Sequence, residues 1–249
     1  MKKIGIVGGV SWLSTAEYYK TICLLSRQHH LERGFEGPAP VPEISIESVN
    51  INKSFHLRGA PGDEASWRGF DAYFHDALRR VECAGADFAI IASNTPHNRF
   101  EAITRGIAIP VISIFDVVAR QCASHGAKRA LILGTAPTMA SAVFAATLEK
   151  HGIAGFVPQS DQDKAIVIEL IDEIYAGRGN DAAERIRAVV ARSFSSSADG
   201  SKVVCLSCTE LPLAFPEFVD RPSFEADGIL YLNTGVIHAQ AAFDCAVSK

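Results

Sequence analysis

The sequence predicts an α/β protein made of two similar parallel-sheet domains. Short apolar segments alternate with helical patterns along the 249 residues. Strict alternation of this kind favours a parallel sheet with helices on both faces. Residues 88–92 form a continuous apolar run, as expected of a strand that is buried on both faces. The same order of segments restarts near residue 128, which indicates an internal duplication.

Before this restart, the patterns predict four strands and three helices. Residues 4–7 form the first strand, and the glycines after it allow a tight turn into a helix. In that helix Ser14 and Glu17 have the spacing of a capping box. A later helix ends before Gly85, where a left-handed cap residue is expected. The other predicted elements are strands at 43–49, 88–92 and 107–114, a helix at 67–84, and a helix at 117–122 capped by Asp116.

After the restart, the order of the first half is repeated. Residues 128–135 align with residues 2–9, and residues 200–209 align with 85–95 if one gap is allowed. A chance match between two generic α/β halves is the alternative. The duplication predicts one domain from residues 1–115 plus 220–249 and a second from 116–219. The second half contains predicted strands at 130–133, 153–157 and 203–206 and predicted helices at 139–149, 165–175 and 182–194.

Composition excludes several classes of function. Hydrophobic residues make up 48% of the chain and charged residues 21%, as in an ordinary globular protein. The net charge of −4, without any basic run, gives no reason to expect a nucleic-acid partner. No segment approaches the roughly 18 apolar residues of a membrane span. The apolar part of the amino terminus is short and broken by glycines, unlike a signal peptide. We therefore expect a cytoplasmic protein without a membrane partner.

The cysteines and glycines do not predict a metal or a cofactor. Six cysteines in such a chain are expected to be reduced thiols. Cys205 and Cys208 have the spacing of a metal or redox pair, but no second pair completes a zinc site, and Cys205 lies in an apolar run that predicts a core position. The glycines of residues 5–9 do not match the dinucleotide-binding fingerprint. The other four cysteines lie in helical patterns and are predicted to be small buried residues, namely Cys23, Cys83, Cys122 and Cys245.

Two corresponding strands end in a residue of nucleophile type, Ser93 in the first half and Cys208 in the second. In open parallel sheets, ligands bind beyond the carboxyl ends of the strands. If the two halves face one another, Ser93 and Cys208 approach one cleft from opposite sides. Two proton carriers on opposite faces of a carbon are what a racemase needs.

Four motifs resemble those of the pyridoxal-phosphate-independent aspartate/glutamate racemase family, in its order and spacing. They are Gly-Ile-Val-Gly-Gly-Val-Ser-Trp-Leu-Ser-Thr at 5–15, Ser-Asn-Thr-Pro-His at 93–97, Leu-Gly-Thr at 133–135 and Cys-Thr-Glu at 208–210. The resemblance covers nearly the whole chain. It implies a duplicated two-domain fold with the active-site cleft between the domains, one thiol per half, no cofactor, and a homodimer.

The sequence departs from this family at the first thiol, because the usual Cys-Asn-Thr is Ser-Asn-Thr at Ser93. The glycine-rich opening resembles a subgroup in which a hydroxyl residue holds this position. A cysteine thiol ordinarily ionises near pH 8.5, whereas a serine hydroxyl has no accessible anion. The resemblance implies that Cys208 takes the α-proton of the L-substrate. We therefore expect L-substrates to react and D-substrates to react poorly.

The resemblance also implies a set of residues that bind an acidic amino acid. Arg58 falls where the family keeps an arginine on the segment after the second strand, and Lys164 matches the lysine that faces the distal carboxylate. Both are expected to contact a dicarboxylic substrate, although an isolated cation is more often a solvated surface residue. Glu210 orients or buffers Cys208, or bonds only to the backbone. His97 and His238 are candidate acid–base residues, and His97 lies where it could tune the site, but a partly buried structural role is the expected one. The donors to the α-carboxylate and the amino group are Ser11, Asn94, Thr95, Thr135 and Thr209. The threonines among them are as often helix caps.

Two other functions are also compatible with the sequence. One is a superfamily enzyme that needs a single thiol, similar to arylmalonate decarboxylase or maleate isomerase. The other is a catalytically weakened protein that binds and senses an acidic amino acid. Aspartate and glutamate differ by one methylene in the distal pocket, which the sequence does not resolve.

Overall fold

A computed structural model describes residues 1–195 and 202–248 of the chain. Residues 200 and 201 of the repeat alignment lie outside the described residues. By its contacts the chain divides into two compact units. One comprises Met1–Ser113 together with His238–Lys249, and the other comprises Ile114–Ile237.

The first unit contains a four-stranded, fully parallel sheet in the order β2-β1-β3-β4. Short 3₁₀ helices lie at Glu64–Trp67 and Thr95–Arg99. The α-helices and strands of residues 1–113 are β1 (Ile4–Gly8), α1 (Trp12–Leu31), β2 (Ile44–Ser48), α2 (Ile51–His56), α3 (Arg68–Cys83), β3 (Phe88–Ile91), α4 (Phe100–Thr104) and β4 (Val111–Ile112).

The second unit contains a five-stranded sheet in the order β6-β5-β7-β9-β8, in which only the edge strand β8 is antiparallel. A short 3₁₀ helix lies at Leu211–Ala214. The remaining elements are α5 (Ile114–Ser124), β5 (Arg129–Gly134), α6 (Ala136–Ala140), α7 (Val143–Glu149), β6 (Ala154–Phe156), α8 (Asp161–Tyr175), α9 (Ala182–Phe194), β7 (Lys202–Ser207), β8 (Ser223–Ala226), β9 (Ile229–Asn233) and α10 (Thr234–Val247).

The two sheets share one plan, as the predicted duplication requires. Their parallel strands follow the same order, since β5, β6, β7 and β9 take the places of β1, β2, β3 and β4. In both units the third strand runs into a short turn and then a 3₁₀ helix with a proline in its first turn. The predicted α/β fold with two parallel-sheet domains is confirmed.

The helix after the fourth strand belongs to the other unit in both halves. α5 follows β4 of the first unit but belongs to the second. α10 follows β9 of the second unit, and from His238 onward it belongs to the first. There Ala239, Ala242 and Ala246 pack with Ile4 of β1 and Phe88 of β3.

The predicted domain boundaries differ from this division at residues 220–237. The sequence predicts these residues in the first domain, but they form β8, β9 and the start of α10 in the second unit. The reason is strand pairing, because β9 pairs in parallel with β7 from Val203 to Leu206. A pattern of apolar residues does not reveal which sheet a strand joins.

Several local predictions are also corrected. Residues 107–114 contain only the two-residue strand β4, and α5 begins at Ile114, so Asp116 lies inside the helix instead of capping it. The helix predicted at 139–149 is two helices, α6 and α7, separated by residues 141 and 142. Cys83 is exposed, whereas Cys122 is buried and Cys23 and Cys245 are partly buried.

The first sheet is covered on both faces. Tyr18 and Ile22 of α1 pack with α10 on one face, while Phe70, Phe74 and Leu78 of α3 fill the other. In the second unit, a large core cluster joins the sheet to α8 and α9. None of the helices in the described part of the chain is both long and apolar enough to cross a membrane.

Candidate functional site

The turn between β1 and α1 brings Ser11 to the carboxyl end of the first sheet. Ser11 is the N-cap of α1, and its hydroxyl accepts a 3.5 Å hydrogen bond from the backbone N–H of Ser14. The predicted capping box is therefore wrong, because the serine that caps the helix lies three residues earlier. The Ser14 hydroxyl instead donates to the Ala92 carbonyl at 2.8 Å. This bond ties the start of α1 to the end of β3.

Gly9 makes this tight turn possible. Its φ is +84°, a region that favours glycine, and a Cβ at this position would overlap the Val49 carbonyl. The N–H of Gly9 donates to the Thr15 hydroxyl at 2.8 Å. The glycine thus lets β1 pass directly into α1.

Ser93 lies in the turn after β3 and is partly buried. Its N–H donates to the Ile91 carbonyl at 2.8 Å. Asn94 and Thr95 follow it, and each has a relative exposure of only 3%. The structure therefore places three predicted site residues in one turn next to the strand that precedes Ser11.

A buried network of three ring side chains supports this turn from behind. His97 Nδ1 lies 2.8 Å from the Ser93 carbonyl and must carry the proton, because a carbonyl oxygen only accepts. His238 Nε2 likewise donates to the Ile112 carbonyl at 3.0 Å. The Tyr18 hydroxyl therefore donates to His238 Nδ1, at 3.0 Å.

Both histidines of this network are neutral. Burial lowers the pKa of His97 to about 4, against smaller upward effects of hydrogen bonds to Ser93 and Ile112. Burial, together with the neighbouring His97, lowers the pKa of His238 to about 3. Burial also raises the pKa of the Tyr18 hydroxyl. The predicted structural role of the two histidines agrees with these contacts.

In the second unit, Cys208 follows β7 and its side chain contacts Glu210. The thiol Sγ donates to Glu210 Oε2 at 2.9 Å, and the Thr209 hydroxyl donates to the same oxygen at 3.1 Å. Cys208 and Glu210 are buried, with relative exposures of 7% and 5%. The turn is fixed by the backbone, since the N–H of Leu211 donates to the Cys208 carbonyl at 3.2 Å.

Thr135 and Lys164 belong to the second unit, and Arg58 to the first. Thr135 is the residue before α6, and its hydroxyl lies 3.0 Å from that of Thr138. Lys164 lies in the first turn of α8, with Nζ 2.9 Å from Asp161 Oδ1. Arg58 follows α2, and its guanidinium lies 5.0 Å from the ring centroid of Phe55.

The structure thus gathers all the predicted site residues except Arg58 and Lys164 into two sets. Ser11, Ser93, Asn94 and Thr95 share the carboxyl edge of the first sheet, after the neighbouring strands β1 and β3. Thr135, Cys208 and Thr209 share the same edge of the second sheet, after β5 and β7. Across residues 1–195 and 202–248, no group of three His, Cys, Asp or Glu side chains could hold a metal ion.

The sequence alone does not decide which group the Glu210 side chain contacts. It allows a contact with the Cys208 thiol or a bond to the backbone, and in the structure the Glu210 side chain contacts that thiol. Two residues in a tight turn can point in several directions, so only the fold selects this contact. The sequence signal for this contact is the presence of a carboxylate, Glu210, two residues after the thiol of Cys208.

Comparison with known proteins identifies the family. The model of the Asp/Glu/Hydantoin racemase family matches residues 7–242. The chain belongs to this family. Membership agrees with the racemase resemblance found in the four sequence motifs and places the chain among isomerases.

Individual relatives agree with this family. An aspartate racemase homologue from Pyrococcus horikoshii OT3 is 30% identical, with a TM-score of 0.76 and 100% of both chains covered. The aspartate racemase of Picrophilus torridus is 18% identical, with a TM-score of 0.74 over 100% of this chain and 96% of the other, and so shows the fold. The broad specificity amino-acid racemase RacX of Bacillus subtilis (strain 168) is 27% identical over 136 residues, which span 55% of this chain and 57% of RacX.

Proposed function

We propose that this protein is a cofactor-independent racemase of aspartate, glutamate or both, and that it favours the L-substrate. The observation that carries this proposal is the repeated strand end, with the buried thiol of Cys208 after β7 and the hydroxyl of Ser93 after the corresponding strand β3. Family membership and the racemase relatives support the reaction class.

In the proposed mechanism, Cys208 removes the α-proton of the L-substrate. Ser93 lies on the opposite face of the substrate carbon, where it relays a proton to the carbanion. Without pyridoxal phosphate, hydrogen bonds must stabilise the charge that develops next to the α-carboxylate. We assign this role to the side chains or N–H groups of Ser11, Asn94, Thr95, Thr135 and Thr209.

The distal carboxylate of the substrate is assigned to Arg58 and Lys164. Both are cationic, and a dicarboxylic substrate needs cationic partners. The resemblance further implies a homodimer, and we propose that the protein works in the cytoplasm. Light scattering of the purified protein tests the first statement, and fractionation of cells tests the second.

Loss of the α-proton signal in deuterated buffer tests the proposal. Proton NMR is recorded for L- and D-aspartate and for L- and D-glutamate, with enzyme and without any added cofactor. We expect exchange of an L-substrate by the wild type and by Cys83→Ala, a control at an exposed thiol. We expect no exchange by Cys208→Ala.

Other outcomes would contradict particular parts of the proposal. Equal initial rates from both enantiomers would overturn the preference for the L-substrate. Full exchange by Cys208→Ala would overturn the assignment of the base. If none of the four amino acids exchanges, the single-thiol decarboxylase or the acidic-amino-acid sensor becomes the better interpretation, and substituted malonates are the next substrates to test.

A further inference from the structure

The carboxylate of Glu210 is placed to react with the thiol of Cys208. Sγ of Cys208 donates to Oε2 of Glu210 at 2.9 Å. Both residues lie in one backbone turn, which keeps the thiol and the carboxylate close together. A thiol must lose its proton before it can act as a base, and the thiolate is the reactive form. Glu210 is therefore a proton acceptor within hydrogen-bond reach of the reacting sulfur.

The side chain of Glu210 is not used to cap the helix that follows it. Glu210 is the N-cap residue of the 3₁₀ helix Leu211–Ala214. Among the described residues, its side chain makes no capping hydrogen bond to this helix. Its backbone carbonyl, not its carboxylate, accepts from the N–H of Leu213 at 2.9 Å. The buried carboxylate is directed to Cys208 and Thr209 instead.

The burial of Cys208 and Glu210 also limits the negative charge that the thiol and the carboxylate can carry together. A thiolate and a carboxylate in contact repel one another, and both groups are buried, so water screens the repulsion only weakly. The pair therefore avoids two negative charges if the carboxylate becomes protonated as the thiol ionises. Thr209 stays hydrogen-bonded to Oε2 and keeps the carboxylate in place.

We propose that Glu210 accepts the thiol proton of Cys208 and so converts Cys208 into the base of the reaction. This inference rests on the proposed function. The S–H bond breaks and its proton moves to Oε2, which leaves a thiolate and a neutral carboxylic acid. The thiolate electron pair then takes the α-proton, and the C–H electrons remain on the carbon. The carbanion is protonated from its other face, and Glu210 releases its proton to solvent.

Glu210→Gln tests this role, because the amide has a similar shape but does not take up the proton. At pH 7 we expect L-substrate exchange to fall by about 100-fold or more, the range of general base catalysis. Exchange should recover as pH rises, because the thiol then ionises to solvent. The matched control is Glu217→Gln at an exposed position in the same segment, which should behave as wild type. Unchanged or faster exchange by Glu210→Gln would overturn the proposal.

A second measurement does not depend on substrate. Cys208 is labelled with methyl methanethiosulfonate between pH 5 and pH 9, and the labelled peptide is quantified by mass spectrometry. We expect slower labelling of Glu210→Gln than of wild type below pH 7, by about 10-fold, with the rates converging at higher pH. Equal labelling at every pH, or faster labelling of the variant, would overturn the role of Glu210. If no amino acid exchanges but the labelling differs as expected, the proposed function fails while the proton transfer stands.

Discussion

The rings of His97 and His238 meet edge to face inside the first unit, with their centroids 5.6 Å apart. Both side chains are fully buried. His97 donates to the carbonyl of Ser93, and His238 accepts from Tyr18. The turn that carries Ser93 therefore rests on two imidazoles that must stay neutral.

This arrangement predicts a loss of stability in weak acid. The pKa values of His97 and His238 are lowered to about 4 and about 3, whereas an unfolded histidine titrates near 6.5. Below pH 6.5 the unfolded chain therefore binds protons that the folded chain does not. The stabilisation is complete above pH 6.5 and is lost as pH falls toward 4 and then 3, by about 2 kcal/mol per histidine at pH 5.

Urea unfolding followed by circular dichroism at pH 5 to 8 measures this dependence. Tyr18, which is hydrogen-bonded to His238, stays neutral over this pH range because burial raises the pKa of its hydroxyl. His97→Gln should reduce the slope of unfolding free energy against pH, whatever its stability at pH 8. A slope that is the same in the variant and the wild type would show that His97 does not contribute.

Ser93→Cys should restore turnover of the D-substrate. The substitution supplies a thiol where the serine hydroxyl has no accessible anion. We expect α-proton exchange of the D-enantiomer to rise by about 100-fold or more at pH 8, with a smaller effect on the L-enantiomer. Ser93→Ala is the control and should give no gain. If D-substrate exchange stays at the wild-type level in Ser93→Cys, Ser93 is not on the proton path.

Lys164→Ala should weaken binding of an acidic substrate. A charge-assisted hydrogen bond contributes about 1.5–3 kcal/mol, so we expect KM to rise by about 10-fold or more with a smaller change in kcat. Asp161→Asn is the matched control. Its carboxylate lies 2.9 Å from Lys164 Nζ, but its side chain is 97% exposed, so its loss should leave KM unchanged or lower it. Initial rates against L-substrate concentration measure both, and an unchanged KM in Lys164→Ala would remove this lysine from the site.

Asp71→Asn should destabilise the protein much more than Glu64→Gln. Both carboxylates pair with Arg99, at 2.8 Å and 2.7 Å, but Asp71 is 15% exposed and Glu64 is 81% exposed. Arg99 also donates a second hydrogen bond to Asp71 at 3.0 Å. Loss of the mostly buried partner should cost about 3 kcal/mol, and loss of the exposed one less than about 1 kcal/mol. Urea unfolding measures both values, and equal costs would show that burial does not govern this pair.

Local patterns predicted much of the fold. The helix predicted at 182–194 has the bounds of α9, Ala182–Phe194. The apolar runs before Ser93 and Cys208 form the strands β3 and β7, as expected. These predictions succeed because burial on both faces of a sheet leaves a direct signal in a short stretch of residues.

The failures occur where distant contacts or adjacent elements decide the structure. The pattern of residues 220–237 does not indicate that β9 pairs with β7, so the predicted domain boundary differs from the observed one. Only Ser113 separates β4 from α5, and the continuous apolar character of this region hides the change from strand to helix. Cys83 is helical as predicted, but it lies on the exposed side of α3. The contact between Cys208 and Glu210 depends on the conformation of a turn that the pattern does not specify.

The exchange of α5 and α10 links the folding of the two units. A polypeptide that ended at Ser113 would lack the alanines of α10, which pack against β1 and β3. A polypeptide that ended with α5 would carry a helix whose Cys122 contacts Cys205 of the second sheet, with Sγ atoms 3.8 Å apart. One half of the duplication, as a separate chain, would thus keep α3 on one face of its sheet but cover the other face with α1 alone, and it would carry a helix that packs in the other unit. Two such half-chains would complete each other only as a helix-swapped pair. In the intact chain, we expect heat to unfold both units in one cooperative transition.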